Sequence, residues 1–213
     1  MRSSTRWTIA ILIVVAVIVA ALARELRSIP PSSTSAGRST ATPDQPGPDL
    51  AALRRRADLS PCPPDGPGPG PQALQGATGV QCLADGAPVD PAKVVGGRAV
   101  VLNLWAYWCA PCAQELPAMA EYQRRVGTAV TVITVQQDDD AAAALSRLAD
   151  WGVRLPTWQD GGRRIAAALK APNIMPTSVV LRADGSVAGI LPRAFDSADD
   201  IAAAVDQTMG ASG

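Results

Sequence analysis

The chain has 213 residues, 47% of them hydrophobic, which is enough to bury one good core and to carry additional segments. Lysine plus arginine equals aspartate plus glutamate, 19 against 19, so no overall electrostatic field draws the protein to nucleic acid. The four cysteines would suit two disulfides in a domain outside the cytoplasm, and the sequence contains no histidine.

Residues 1–29 predict a membrane signal-anchor. Arg2 and Arg6 precede an uncharged run of 17 residues, 7–23, which spans roughly 25 Å as a helix. Including residues 24–26 brings the length to about 30 Å, the thickness of a bilayer core, because charged ends can reach the interface. The alternative is a cleaved signal peptide that ends at Ala21-Leu22-Ala23. Both interpretations export the rest of the chain, either held at the cell membrane or secreted.

Residues 30–58 are predicted to be a flexible tether. Serine, threonine, proline and glycine dominate there, and few side chains could join a core. The folded domain is then expected to occupy residues 59–213. With a single-pass anchor, this C-terminal domain would lie on the extracytoplasmic side of the inner or cytoplasmic membrane.

Two cysteines without C-x-x-C spacing, Cys62 and Cys82, flank a proline- and glycine-rich stretch. Pairing them would close a loop of 21 residues, counting both ends, for which chain entropy predicts roughly 3 kcal/mol of stabilisation. We interpret the pair as a structural disulfide, and the alternative is a second redox pair that relays electrons to another. The turn signal at 84–88 then predicts a hairpin that extends through Gly97.

The stretch Val100–Glu115 carries the strongest chemical signal. An apolar, β-branched run leads into Trp108-Cys109-Ala110-Pro111-Cys112 and a helical pattern, which predicts a buried strand followed by a helix. At the first helical turn, unpaired N–H groups and the helix dipole favour the thiolate of Cys109, whereas Cys112 lies one turn deeper. The spacing therefore indicates thiol–disulfide exchange with Cys109 as the attacking sulfur.

A metal site is the alternative use of these thiols. Without histidine, a tetrahedral zinc site would need all four cysteines, at positions 62, 82, 109 and 112. The three aspartates 138–140 are interpreted as carboxylates at the N-terminus of a helix, where the dipole favours negative charge. No metal ligand set is predicted, and the cysteine pair itself is the only redox group that the chemistry requires.

The remainder of the sequence alternates strands and helices. The expected elements are strands over 129–135, 178–182 and 187–191 and helices over 141–150, 163–170 and 199–209. Asp184-Gly185 marks a hairpin turn, and Ser197 or Asp199 is expected to cap the final helix. Trp151 and Trp158 belong either to the core or to an apolar floor for a partner.

This succession of elements resembles the thioredoxin fold over roughly residues 75–209. The fold is α/β, and here it implies a central mixed sheet with flanking helices and an N-terminal hairpin extension. The motifs Leu-Asn-Leu-Trp-Ala-x-Trp-Cys-x-Pro-Cys, Glu-Leu-Pro at 115–117 and Met-Pro-Thr at 175–177 carry the resemblance. They are more similar to the membrane-anchored TlpA and ResA branch, which includes cytochrome c maturation reductases, than to cytoplasmic thioredoxin.

The resemblance assigns roles around the cysteine pair. It implies a cis peptide bond before Pro176, which would face Cys109, and substrate contacts from Trp108, Met175 and Thr177. Sequence alone could not indicate the cis bond, because most bonds before proline are trans.

The resemblance also identifies one departure. Asn103 stands where cytoplasmic thioredoxin has a buried acidic residue, and an amide cannot accept a proton at ordinary pH. Deprotonation of Cys112 therefore needs another base, and the family likeness points to Glu115.

The function implied is an exported, membrane-tethered thiol–disulfide oxidoreductase that acts on protein thiols and disulfides. The likeness favours a reductase recharged by a membrane electron donor, with apocytochrome cysteines as one substrate. A disulfide-forming oxidase is the alternative, and so is a Cu(I) delivery module on the same fold, although relatives of that type use a histidine. A peroxidase is disfavoured, because Ala106 stands where that branch has a threonine.

Overall fold

A computed structural model describes residues 48–210. In this range seven strands form one mixed sheet in the order β2-β1-β5-β4-β3-β6-β7, which confirms the predicted α/β class. The strands are β1 (Val80–Cys82), β2 (Pro88–Val89), β3 (Val100–Trp105), β4 (Thr131–Gln136), β5 (Thr157–Gln159), β6 (Thr177–Leu181) and β7 (Val187–Leu191). The helices are α1 (Leu50–Ala57), α2 (Pro91–Val95), α3 (Ala110–Val126), α4 (Ala141–Asp150), α5 (Arg164–Ala168) and α6 (Ala198–Gly210), with a 3-10 turn at Gln72–Gly76.

Strand β3 lies in the interior of the sheet, parallel to β4 and antiparallel to β6. All six of its residues are buried, as expected for an apolar run covered on both faces. Successive side chains point to opposite faces, so Val101 and Trp105 join the core formed with α3, α4 and α6. Val100, Leu102 and Leu104 join the core formed with α2 and α5. This strand therefore holds the loop that follows it in a fixed position.

The C-terminal elements follow the sequence prediction closely. The β6–β7 hairpin turns at Asp184-Gly185, where the Ser186 N–H donates to Asp184 Oδ1 at 2.9 Å and Gly185 has a φ of 84°. The positive φ explains the glycine, because other residues adopt it only with strain. Ser197 Oγ accepts the Asp200 N–H at 3.2 Å and so caps α6.

The segment between residues 79 and 97 is only partly the hairpin that was predicted. Strands β1 and β2 pair antiparallel as expected, but Pro91–Val95 forms α2 instead of continuing the hairpin. Asp90 accepts the Lys93 N–H at 3.3 Å, and proline follows it at the first helical position. An N-cap aspartate followed by proline is a strong helix start, which explains the difference.

The predicted disulfide between Cys62 and Cys82 is present. The two Cα atoms are 5.9 Å apart, within the range that suits a disulfide. Cys82 is the last residue of β1 and is buried, and β1 pairs with β5. The disulfide therefore attaches the proline-rich segment at Cys62 to the sheet.

The predicted tether is wrong at its end, because residues 50–57 form the helix α1. Asp49 caps this helix, with its Oδ1 accepting the N–H groups of residues 51 and 52 at 3.0 and 3.1 Å. Ala57 is buried and Leu53 is partly buried in the core that includes α4, and Arg56 forms an ion pair with Asp150 of α4 at 2.5 Å. A helix this short depends on tertiary packing, so the folded domain begins before residue 59.

The predicted signal-anchor and the tether through residue 47 lie outside the described residues, as do residues 211–213. Among helices in the described range, none combines the length and the apolar character that crossing a membrane requires.

Candidate active site

The two cysteines of the C-x-x-C motif lie at the start of α3, just after the loop that follows β3. Cys109 is the N-cap residue of α3, and the backbone N–H of Cys112 points at its Sγ at 3.3 Å. The two residues form a disulfide with Cα atoms 5.3 Å apart. Cys109 keeps 5% of its surface exposed and Cys112 keeps none, so only Cys109 can be reached from solvent. The pairing of 62 with 82 and of 109 with 112 replaces the four-cysteine zinc site considered as an alternative.

The Met-Pro-Thr loop lies beside the start of the cysteine loop. Strands β3 and β6 are antiparallel, with Leu104 opposite Thr177, so the residues before β6 lie next to the end of β3. The expected cis peptide bond joins Met175 to Pro176. Met175 is partly buried and packs against the core cluster that contains both active-site cysteines. The topology thus brings together two motifs that are far apart in sequence.

The predicted substrate residues differ in their exposure. Trp108 is 58% exposed and Met175 is partly exposed, and both can contact a partner. Thr177 is fully buried, and its hydroxyl donates to the Ile174 carbonyl at 2.6 Å. Its side chain therefore holds the loop and has no surface to offer a substrate. Ile174, which the sequence analysis missed, is 53% exposed and presents an apolar side chain instead.

Glu115 lies one helical turn after Cys112 on α3, on the same side of the helix. Its carboxyl is buried and accepts a hydrogen bond from Asn103 Nδ2 at 2.9 Å. Desolvation raises the pKa of Glu115 from 4.5 to about 7, against smaller opposing effects from the Asn103 hydrogen bond, the Phe195 backbone and the Arg193 charge. Both the protonated and the ionised forms are therefore populated near neutral pH.

Asp138 is a site residue that the sequence analysis treated only as part of a helix start. Asp140 does cap α4, as predicted, by accepting the Ala143 N–H at 2.9 Å. Asp138 instead accepts the indole N–H of Trp108 at 3.0 Å. The contact follows from topology, because parallel strands β3 and β4 end at the same edge of the sheet. Asp138 thus fixes the orientation of the exposed tryptophan beside Cys109.

A second feature missed from the sequence is a recess of about 220 Å³ beside Cys109. The recess is lined by Tyr107, Trp108, Cys109, Arg147, Trp151 and two alanines of α3. Trp151 is half-buried and meets Trp105 edge-on, with ring centroids 5.7 Å apart. Trp151 thus packs against the core and also lines the recess, whereas Trp158 is fully buried in the core.

Comparison with known proteins places these features in a family. The family profile described as Redoxin matches residues 70–204. The thiol-disulfide oxidoreductase ResA of Bacillus anthracis is 31% identical over 96 residues, which cover 45% of this chain and 55% of that protein. The matched region thus spans about half the length of such curated relatives.

Solved structures support the thioredoxin-like fold. A secreted Mycobacterium tuberculosis disulfide oxidoreductase, homologous to E. coli DsbE, superposes with a TM-score of 0.55 at 27% identity. The superposed region covers 63% of this chain and 97% of the Mycobacterium tuberculosis protein. A thioredoxin family thiol:disulfide interchange protein from Chlorobium tepidum gives a TM-score of 0.53 at 23% identity, covering 69% and 99%. The predicted α/β thioredoxin fold is thereby confirmed.

Proposed function

Because the chain belongs to the Redoxin family, we propose that it is a thiol–disulfide oxidoreductase acting on protein cysteines. The observation that carries the proposal is the Cys109–Cys112 disulfide at the start of α3, with one sulfur accessible and the other enclosed. That arrangement suits an attacking thiol and a resolving thiol. The similarity to the thiol-disulfide oxidoreductase ResA and to a DsbE-like disulfide oxidoreductase supports the same chemistry.

The reaction in the reducing direction has two exchange steps. The Cys109 thiolate attacks one sulfur of a substrate disulfide, so that a new S–S bond forms and the other substrate sulfur leaves as a thiolate. The Cys112 thiolate then attacks Cys109, the Cys109–Cys112 bond forms, and the first substrate sulfur leaves. Two electrons pass from the enzyme to the substrate, and no further cofactor is required.

The helix start helps the first step. The reduced Cys109 sulfur lies at the N-terminus of α3, where it can accept the Cys112 N–H and where the positive end of the helix dipole favours a negative charge. These interactions stabilise the thiolate both before attack and when Cys109 is the leaving group. The site therefore favours Cys109 as the sulfur that exchanges with substrates.

Glu115 is the group suited to accept the proton of Cys112. It is buried one turn away, and its pKa of about 7 allows it to be ionised before the transfer and protonated after it. Asn103 holds the carboxyl through the 2.9 Å hydrogen bond but cannot take the proton itself.

The residues that contact the substrate are Trp108 and Ile174 with Met175, on the surface around Cys109.

We further propose that the protein works as a reductase at the outer side of the cytoplasmic membrane. Residues 1–29 would anchor it, residues 30–47 would act as a tether, and a membrane thiol donor would recharge the cysteine pair. Apocytochrome cysteines before haem attachment are one substrate class consistent with the resemblance to the ResA branch.

The in vivo redox state of the pair tests this proposal. Cells are acid-quenched, free thiols are alkylated, and the state of Cys109 and Cys112 is determined by mass spectrometry. A mostly reduced pair supports the reductase, whereas a mostly oxidised pair indicates an oxidase. Protease accessibility in intact spheroplasts, followed by membrane fractionation, reports whether the domain is external and attached.

A further inference from the structure

The recess beside Cys109 is not used by the exchange reaction itself. It lies between the first turn of α3 and the side of α4, and its lining includes three aromatic residues, Tyr107, Trp108 and Trp151. None of its lining residues belongs to the 174–177 loop. The active-site sulfur is therefore flanked by two separate surfaces, the Met-Pro-Thr loop and this recess.

Arg147 brings to the recess a positive charge that has no direct partner among the described residues. It projects from α4 and is exposed, and within residues 48–210 its guanidinium has neither an ion pair nor a hydrogen bond. Among the acidic residues nearest along the chain, Asp150 pairs with Arg56 and Asp140 caps α4. Asp138 accepts the Trp108 indole N–H and keeps its own negative charge, and within residues 48–210 neither Asp138 nor Asp139 forms an ion pair with Arg147. A cation among aromatic rings at an open recess is suited to bind a carboxylate.

The position of Cys109 determines what can enter the recess. A substrate sulfur must come into bonding contact with Cys109, whose side chain is part of the lining. In an extended segment each residue advances roughly 3.3 Å, so the residue on one side of the substrate cysteine can reach the recess. The occupant is therefore part of the same protein segment that exchanges its disulfide with Cys109.

We propose that this recess selects protein substrates that carry an aspartate or glutamate directly beside the reactive cysteine, and that Arg147 is the specificity-determining residue. The proposal rests on the oxidoreductase function proposed above. The aromatic rings would contact the chain and the stem of the acidic side chain, while the guanidinium would bind its carboxylate. Arg147 takes no part in bond exchange, so its charge should affect the choice of substrate and leave the chemistry intact.

The test uses the full chain and short peptides closed by one disulfide. Glutamate, glutamine or lysine is placed directly before or directly after the attacked cysteine, and the second-order rate constant for peptide reduction by the pre-reduced protein is measured in single turnover at low ionic strength. At one of the two positions the unmodified protein should prefer glutamate over lysine by about fivefold, the scale of one exposed ion pair. Arg147→Gln should abolish the preference and Arg147→Glu should reverse it.

Arg55→Gln is the matched control, because Arg55 is also exposed but does not line the recess. It should keep the preference of the unmodified protein. A glutamate preference that survives in Arg147→Gln, or the lack of any preference at both positions, would overturn the proposal. If Arg147→Gln slowed the reduction of oxidised glutathione as much as it slowed the reduction of the glutamate peptides, the proposal would also be overturned, because a small carboxylate would then be the occupant.

A binding measurement separates this inference from the proposed function. Peptides with serine in place of both cysteines cannot exchange, and their binding is followed by the tryptophan fluorescence of the recess. Tighter binding of the glutamate peptide that depends on Arg147 supports the recess assignment, even if no peptide is turned over. If all the disulfide peptides were reduced and all the serine peptides bound equally well, the oxidoreductase function would stand and the role of Arg147 would be rejected.

Discussion

Asn103 of β3 donates a hydrogen bond to Glu115 of α3 at 2.9 Å, and both side chains are fully buried. The Asn103 amide also contacts Ser178 Oγ at 3.2 Å, so the contact joins two strands to the helix that carries the cysteines. The carboxyl is thereby held in a poorly solvated position behind Cys112. Two predictions concern this carboxyl.

The first prediction concerns stability and pH. Burial raises the pKa of Glu115 from 4.5 to about 7. Between pH 4.5 and about pH 7, Glu115 is therefore protonated in the native state but ionised in the unfolded state. Stability should therefore fall as pH rises through this window, by about 3 kcal/mol in total. Glu115→Gln should be as stable as the unmodified oxidised protein near pH 4 and more stable at pH 8, as measured by urea unfolding.

The second prediction concerns the resolving step. Without a carboxylate one turn away, the Cys112 proton has no buried acceptor, so Glu115→Gln should slow the release of mixed disulfides by about 100-fold near neutral pH. Rapid mixing of the reduced protein with a disulfide peptide, followed by acid quench and gel analysis, measures the lifetime of the mixed disulfide. An unchanged lifetime would show that another group takes the proton.

The third prediction separates the two cysteines. Cys109 retains some exposure and Cys112 has none, so Cys112→Ser should still attack substrates but accumulate mixed disulfides. Cys109→Ser should neither turn over nor capture anything, and it serves as the control. Captured proteins are separated on non-reducing gels and released by reductant. Capture by Cys109→Ser alone would reverse the two roles.

The fourth prediction concerns the second disulfide. Cys82 is buried in β1, whereas Cys109 lies at a helix start that favours its thiolate, so the Cys109–Cys112 bond should open first under graded reductant. Mass spectrometry after alkylation follows both pairs. Replacing Cys62 and Cys82 together by serine should lower stability by about 3 kcal/mol and preserve peptide reduction. Simultaneous opening of both pairs would argue for the electron-relay alternative.

The fifth prediction concerns the start of the domain. A protein that begins at residue 48 should fold like the full chain, whereas one that begins at residue 59 lacks α1 and exposes the apolar side of α4. The shorter protein should lose about 2 to 4 kcal/mol in urea unfolding. Leu53→Ala in the longer protein should lose part of this amount, because Leu53 packs in the same core cluster. Equal stability of the two truncations would show that α1 contributes nothing.

Sequence reasoning was most successful where local chemistry decides the structure. The apolar run of β3, the Cys109–Cys112 helix start and the Asp184-Gly185 turn each carry a signal within a few residues. The cis bond at Pro176 was expected only through the resemblance, since proline alone does not indicate it.

The features missed from the sequence depend on contacts between distant segments. Helix α1 is short and contains three arginines, so its pattern gave no reason to expect a helix that packs on α4. The hydrogen bond from Trp108 to Asp138 joins the ends of two strands and has no local signature. Arg147 became a candidate only when α4 was seen to lie beside Cys109.

The docking of α1 on α4 also has a mechanical consequence. A pulling force that enters through the residues before α1 acts first on the apolar contacts of Leu53 and Ala57 and on the ion pair between Arg56 and Asp150. If these contacts break, the Cys62–Cys82 disulfide limits further extension of the chain, because it joins Cys62 covalently to β1. The load thus falls first on α4 and on β1, the second strand from the edge of the sheet. Strands β5 and β4 separate β1 from β3, the strand that positions Cys109, so a force applied through the residues before α1 should disrupt these contacts before it displaces the reactive sulfur.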